Sequence, residues 1–189
     1  MTSAGRPRDP RVDEALRRVV QDLLVEQGYG ALTVQGVARA AGVSPATIYR
    51  RFPGKRELVE WAAFPASEWV EPRWTGDYAA DLTTLVEVLL SWLRQPAVRS
   101  AVPGLLGEYV RDITRYEALL AATVEPVRRS LAELVARAVE RGEAVEGVSL
   151  PALLDVILGA VLLEAMVSDG AGVRAAAERI ADVVRRATT

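Results

Sequence analysis

Five residues, Ala41-Gly42-Val43-Ser44-Pro45, constrain this chain more than any other stretch. Glycine ends a helix by entering left-handed conformations that cost other residues free energy. Serine caps the next helix by accepting a backbone N–H, and proline fits its first turn, where a missing N–H costs nothing. Two helices must therefore meet across a tight turn, and both must be short. Thr33 caps the first, Val34 to Ala41, with Val37, Ala38 and Ala41 facing inward. Gln35 and Gly36 follow, so the reciprocal capping box is incomplete. The second helix carries inward anchors Ile48 and Phe52, four residues apart. Two short helices joined in this way form a helix-turn-helix.

The remaining sequence also reads as helix, with no alternating strand pattern. Val12, Ala15, Leu16, Val19, Val20, Leu23 and Leu24 form one apolar stripe on a first helix, and Gly28 suits its stop. Another helix starts near Lys55 and carries Leu58, Trp61 and Ala62. Pro65 and Pro72 then interrupt. The expected organisation is a basic arm over residues 1–10, a helix-turn-helix domain over 11–66 and an all-helical domain over 67–189. In that last part the pattern predicts a helix from Asp81 to Arg94, and a helix broken at Pro103-Gly104 from Ala97 to Ile113. A long helix, Thr114 to Arg141, follows, kinked at Pro126. Ser149 caps and Pro151 opens a helix to Val167 that is apolar almost all round and must be buried on more than one side. The last helix, Val173 to Ala187, carries Val173, Ala176, Ala177, Ile180 and Val184 on one face. The fold class is all-α, an N-terminal three-helix helix-turn-helix domain followed by a helical C-terminal domain, with about nine helices in total.

Composition closes several functional routes. The chain has no cysteine and no histidine, which removes thiolate chemistry, Ser-His-Asp catalysis and the usual zinc sites. No catalytic residue, cofactor or metal is expected. Residues Met1 to Pro10 are polar and arginine-bearing, unlike a signal peptide. The longest apolar stretch, Val156 to Val167, is interrupted by Glu164 and reads as too short to span a bilayer, so a cytoplasmic location without membrane contact is expected. The net charge of −2 disfavours nucleic acid, but its distribution does not. Residues 1–60 hold ten Arg or Lys and seven Asp or Glu, a balance of +3 that leaves −5 for the remainder. Between Glu26 and Glu57 there is no acidic residue, while Arg39, Arg50, Arg51, Lys55 and Arg56 all fall there. Such an island is either an ordinary solvated face or a local phosphate-binding surface.

The 100° step per residue decides which side chains of the second short helix can reach DNA. With Ile48 inward, Ala46 and Arg50 fall nearly opposite, flanked by Thr47 and Tyr49. A small Ala46 permits close approach and its methyl can meet a thymine methyl. Arg50 can reach guanine O6 and N7, or a phosphate. The hydroxyls of Thr47 and Tyr49 suit phosphates, and Lys55 opens the following helix where a phosphate can sit.

The stretch Leu32-Thr33-Val34 … Val37-Ala38 … Ala41-Gly42-Val43-Ser44 … Thr47-Ile48-Tyr49-Arg50-Arg51-Phe52-Pro53-Gly54-Lys55-Arg56-Glu57-Leu58 resembles the TetR family of bacterial regulators. Gly5-Arg6-Pro7-Arg8 and the Gly28-Tyr29 helix end resemble it too, so the likeness spans residues 5–65. Farther on, Glu125-Pro126-Val127-Arg128-Arg129 and Ala138-Val139-Glu140-Arg141-Gly142-Glu143 resemble an actinobacterial-type subset of C-terminal domains. The resemblance assigns base contacts to Gln35, Pro45, Ala46, Thr47 and Arg50, and phosphate contacts to Thr33, Ser44, Tyr49 and Lys55. It gives Arg6 and Arg8 to the adjacent minor groove. Gly36 departs from the family pattern, where a bulkier helix former is usual, and is expected to loosen the second helix.

The resemblance further implies a repressor that binds double-stranded operator DNA, pairs as a homodimer through its last two helices, and releases DNA on binding a small effector. Gly159, Ala160 and Ala175 to Ala177 permit the close approach such a pairing needs, although the same helices can bury within one subunit. Trp92, Leu93, Leu105, Tyr109, Ile113, Leu162 and Met166 can line a cavity for an apolar or aromatic effector, or form plain core. Asp155 and Glu164 lie about 180° apart round one helix, so at most one faces a given pocket, where it would favour a cation. A DNA-binding regulator controlled by a protein partner or by abundance stays open as an alternative, and an enzyme is disfavoured by the missing His and Cys.

Overall fold

The structure, a computed structural model, describes residues 10–65, 72–112, 114, 117, 119, 123–168 and 172–189. Nine helices and no strand occur among these residues. They divide into two compact units. The first holds the described residues to Pro65 together with Ser100–Arg111, and the second holds those from 72 to Arg99 and from Asp112 onward.

In the first unit, α1 (Pro10–Ala31) buries Leu16, Val20 and Leu24. Val12 and Ala15, expected on this stripe, are exposed instead. Gly28 takes φ 74°, turning the chain so that Tyr29 is buried. Then come α2 (Val34–Ala40), α3 (Pro45–Tyr49) and α4 (Lys55–Ala63). Leu32, Val34, Val37, Ile48, Phe52, Leu58, Val59 and Ala62 close a core around α1. A Gln21 side-chain N–H donates to the Ala62 carbonyl at 2.9 Å and ties α1 to the end of α4.

α6 (Pro96–Tyr109) corrects the expected break at Pro103-Gly104, because the helix runs through both residues. Proline inside a helix removes one hydrogen bond and typically costs about 3 kcal/mol. Here Pro103 is exposed, while Ala101, Val102, Leu105 and Tyr109 are buried and offset that loss. Gly104 has a different role. A Cβ built on it would stand 2.2 to 2.8 Å from Tyr29 ring and Cβ atoms, so the helix backbone lies directly against the tyrosine.

The second unit is built on α5 (Tyr78–Leu93), which packs against α7 (Glu125–Glu140), α8 (Leu150–Val167) and α9 (Val173–Thr188). Leu82, Leu85, Leu90, Leu131, Leu134, Ile157, Val161, Ala177 and Val184 fill its interior. Buried Asp81 accepts hydrogen bonds from the Thr75 N–H, the Thr75 hydroxyl and the Gly76 N–H at 2.7 to 2.9 Å, fixing the entry to α5. The hydroxyl of buried Thr188 shares a hydrogen bond with the Tyr78 hydroxyl at 2.8 Å, and its carbonyl accepts from the Val145 N–H, also at 2.8 Å.

Pro126 sits in the first turn of α7, where its absent N–H costs nothing. The expected helix from Thr114 lies partly outside the described residues; 114, 117, 119 and 123 are helical, and Val124 is a turn directly before α7. One further expectation, the short apolar span, changes. The apolar run counted from Val156 belongs to a helix that begins at Leu150 with Ser149 as its cap. Its 18 residues, with mean hydropathy 2.1, are long and apolar enough to cross a membrane by length and composition alone. They pack on α5, α7 and α9 along one side only.

The fit of α6 on Tyr29 gives the first prediction. Gly104→Ala inserts a methyl where no space exists, so stability should fall by about 1–3 kcal/mol, the usual cost of overpacking. Urea unfolding followed by circular dichroism measures it, and an unchanged midpoint would contradict the packing described.

Candidate nucleic-acid interface

Local chemistry sets the reading elements. The Thr33 hydroxyl accepts from the Gly36 N–H at 3.0 Å. A Cβ at Gly36 would lie 3.1 Å from that same oxygen. The glycine that departs from the family pattern thus leaves room for the cap hydroxyl, which offsets part of its lower helix propensity. At the other end of α2, Gly42 adopts φ 65°. The Val43 N–H donates to the Ala38 carbonyl at 3.0 Å and the Gly42 N–H to the Arg39 carbonyl at 3.3 Å, the paired bonds of a Schellman stop.

Ser44 caps α3 by accepting from the Thr47 N–H at 3.3 Å, and its hydroxyl also shares a hydrogen bond with the Thr47 hydroxyl at 2.9 Å. Ile48 is buried, while Pro45, Ala46, Tyr49 and Arg50 are exposed and Thr47 is half-buried. The side of α3 opposite Ile48 therefore faces outward. Thr33, Ser44 and Gln35 are exposed as well.

The basic island separates into two groups. Arg51 donates to Asp13 Oδ1 at 2.7 Å, and its guanidinium lies 5.2 Å from the Phe52 ring and 5.4 Å from the Trp61 ring. Arg56 pairs with Glu57, with Glu60 at 3.6 Å and with Glu108 at 3.8 Å. The Lys55 Nζ donates to the Gly30 carbonyl at 3.2 Å and stands 4.2 Å from the Tyr29 ring centroid. Burial lowers the Lys55 pKa, against the pull of Glu108. Arg39 and Arg50 have no ion pair among the described residues and are exposed. Arg6 and Arg8 lie outside the described residues.

A polar cluster behind this surface is not apparent from the sequence. The Tyr29 hydroxyl donates to Glu108, and the Tyr109 hydroxyl donates to Glu60 Oε1 at 2.7 Å. Burial, then the carboxylate partner, raises both phenol pKa values, so both stay protonated donors. Burial also raises the Glu60 pKa, opposed by the Tyr109 hydrogen bond and by Arg56. The only signal was the Gly28-Tyr29 helix end; Glu108 and Glu60 stand far from it in sequence.

The expected effector-lining residues are distributed. Leu105 and Tyr109 are buried in the first unit, and Trp92, Leu162 and Met166 are half-buried in the second. Ile113 lies outside the described residues. Glu164 is held by Arg94 at 3.4 Å and by Arg179 at 3.2 Å, and Asp155 is exposed. The second unit instead presents an open apolar groove of about 540 Å³ between α8 and α9, lined in part by Val156, Ala160, Leu163, Val167, Ile180 and Val183.

The family model of bacterial regulatory proteins, tetR family, matches residues 21–62, and that of the tetracyclin repressor-like C-terminal domain matches residues 72–184. An uncharacterized HTH-type transcriptional regulator of Mycobacterium tuberculosis, Rv1556, is 42% identical over 91 residues. That match takes in 46% of this chain and 45% of the relative, so the chain spans about half the length of the curated relatives it matches there. The crystal structure of the TetR family transcription regulator SCO0332 superposes with a TM-score of 0.67 at 25% identity, over 95% of this chain and 99% of that one. The transcriptional regulator FadR of Bacillus subtilis, solved in complex with stearoyl-CoA, has the same fold, with a TM-score of 0.60 at 14% identity over 91% of this chain and 97% of that one.

Proposed function

The chain belongs to the tetR family of bacterial regulatory proteins, and on that premise we propose that it is a sequence-specific, DNA-binding transcriptional regulator that acts as a homodimeric repressor. The observation that carries this reading is the exposed face of α3, where Ala46 and Arg50 stand opposite buried Ile48 on a helix capped at Ser44. In this reading α3 enters the major groove and α2 crosses the backbone. Gln35, Pro45, Ala46, Thr47 and Arg50 read base edges, while Thr33, Ser44, Tyr49 and Lys55 hold phosphates. Lys55 does so with N–H groups not given to Gly30. Arg6 and Arg8 follow the minor groove. The division into arm, DNA-binding domain and effector domain, the cytoplasmic location and the lack of any catalysed reaction belong to the same proposal.

Dimerisation is supported by the second unit. Val156, Leu163, Val167 and Val183 are 55%, 65%, 69% and 64% exposed on the adjacent faces of α8 and α9. Large apolar side chains gathered on one face mark an interaction surface rather than scattered exposure. A second copy, placing the same face against it about a two-fold axis, buries the patch symmetrically.

Regulation by a small apolar or aromatic ligand extends the reading. Trp92, Leu105, Tyr109, Ile113, Leu162 and Met166 are its candidate contacts. The acyl-CoA bound by the FadR of Bacillus subtilis supports an apolar ligand on this fold. The ligand acts by population shift, favouring the state whose two reading heads do not match the operator, and it can shift affinity only by its differential affinity for the two states.

Three outcomes test this. Arg50→Ala should cost roughly 1–3 kcal/mol on DNA selected from genomic fragments and relax preference at one position per half-site, while scrambled DNA loses far less. Equal losses on both DNAs would make Arg50 a phosphate contact and leave reading to Gln35, Ala46 and Thr47. Leu163→Glu should turn a dimer into folded monomers in analytical ultracentrifugation; a wild-type protein sedimenting as a monomer at micromolar concentration would refute the pairing. A ligand found by thermal shift of the free protein should weaken duplex binding in the same titration, and stabilisation that leaves DNA affinity unchanged would separate that site from regulation.

A further inference from the structure

The electrostatics of the first unit point to a DNA contact that the family resemblance does not assign. Five cations fall between Glu26 and Glu57. Three are engaged inside the unit: Arg51 with Asp13, Arg56 with three carboxylates, and Lys55 with the Gly30 carbonyl and the Tyr29 ring. Of the five, Arg39 and Arg50 are the two whose side chains make no hydrogen bond, ion pair or ring contact among the described residues, and both are exposed. Arg50 is on the reading face of α3. Arg39 is in the last turn of α2, one helical turn after Gln35.

The geometry of α2 fixes where Arg39 can act. Residues four apart on a helix lie about 40° apart round the axis. Gln35 and Arg39 therefore share one stripe, and both are exposed, whereas Val34, Val37 and Ala38 are buried on the other side. The helix end that carries Arg39 is pinned by the Schellman bonds at Gly42, and the Arg39 carbonyl itself accepts the Gly42 N–H. A guanidinium here is an exposed cation on a fixed backbone position of the helix that crosses the DNA backbone in a helix-turn-helix complex. The alternative role, favourable interaction with the C-terminal end of the α2 dipole, requires no partner and leaves DNA binding unaffected.

We infer that Arg39 holds a backbone phosphate of duplex DNA beside the groove that α3 enters, on the same stripe of α2 as Gln35. The inference rests on the DNA-binding reading above. The two unengaged cations then divide the work: Arg50 addresses base edges and Arg39 supplies a sequence-independent contact.

The test uses the full chain and a mixed-sequence DNA duplex of about 30 base pairs, followed by fluorescence anisotropy between about 50 and 200 mM salt. Each phosphate neutralised contributes roughly 0.9 to the slope of log affinity against log salt. Arg39→Gln should flatten that slope by about this amount for each protomer bound, and weaken the mixed-sequence duplex and genomic fragments alike. Arg39→Lys should retain most of the slope, because the charge remains. Arg137→Gln, which removes an exposed arginine of α7 that pairs with Glu133, should leave it unchanged. Circular dichroism confirms that each variant is folded. Steep wild-type binding with an equal slope for Arg39→Gln, or equal flattening by Arg137→Gln, overturns the phosphate contact while leaving the DNA-binding reading intact. A wild-type protein with no salt-dependent affinity for any duplex overturns both.

Discussion

One aromatic ring organises the first unit. Tyr29 is the first residue after the Gly28 turn, and three elements converge on it. The α6 backbone at Gly104 lies against its ring, Glu108 one turn later accepts its hydroxyl, and the Lys55 ammonium sits over its face. Lys55 begins α4, six residues after the end of α3. The end of α1, the start of α4 and the last two turns of α6 are thus fixed by a single side chain. A phenol suits this position because it offers apolar area to α6, a π-face to a cation and one donor to a carboxylate. Phenylalanine would keep the first two and remove the donor to Glu108, which then keeps Arg56 at 3.8 Å.

The neighbouring polar cluster has a consistent internal logic. Burying Glu60 is unfavourable for its charged form, and the molecule compensates with a phenolic donor from Tyr109 and a guanidinium from Arg56. Arg56 in turn spreads one positive charge over three carboxylates. That arrangement commits Arg56 to the interior of the unit, and the same holds for Arg51 between Asp13 and two aromatic rings. Cations that look interchangeable in the sequence are therefore separated by structure into those that hold the head together and those that remain available to a polyanion.

Much of this fold was legible because its signals are local. Thr33, Gly42, Ser44 and Pro45 each act through a backbone bond within five residues, so caps and stops were readable one by one. The outward position of Ala46 and Arg50 followed from buried Ile48 by helical geometry alone. The errors arose where distant contacts outweigh local rules. Pro103 reads as a break, but burial of Ala101, Val102, Leu105 and Tyr109 carries the helix through it. The Tyr109 hydroxyl is given to Glu60, 49 residues earlier, a pairing that no local rule shows. Grouping Ser100–Arg111 with the N-terminal unit required the same long-range information.

The acidic net charge of the chain is compatible with a DNA-binding surface because electrostatic influence in salt is short-ranged. At physiological ionic strength exposed charges are screened over about 8 Å, so the net charge of the whole chain says little about a local phosphate-binding surface. What matters locally is the absence of any acidic residue between Glu26 and Glu57, together with the internal pairing of Asp13 and Glu57. Committing Arg51 and Arg56 to internal ion pairs reduces non-specific attraction, since fewer phosphates are neutralised and fewer counterions released. A head with few free cations must then derive more of its affinity from base contacts and from symmetric pairing, which doubles the contacts made at one site. In the proposed homodimer, the exposed apolar face of α8 and α9 would supply the means for that pairing.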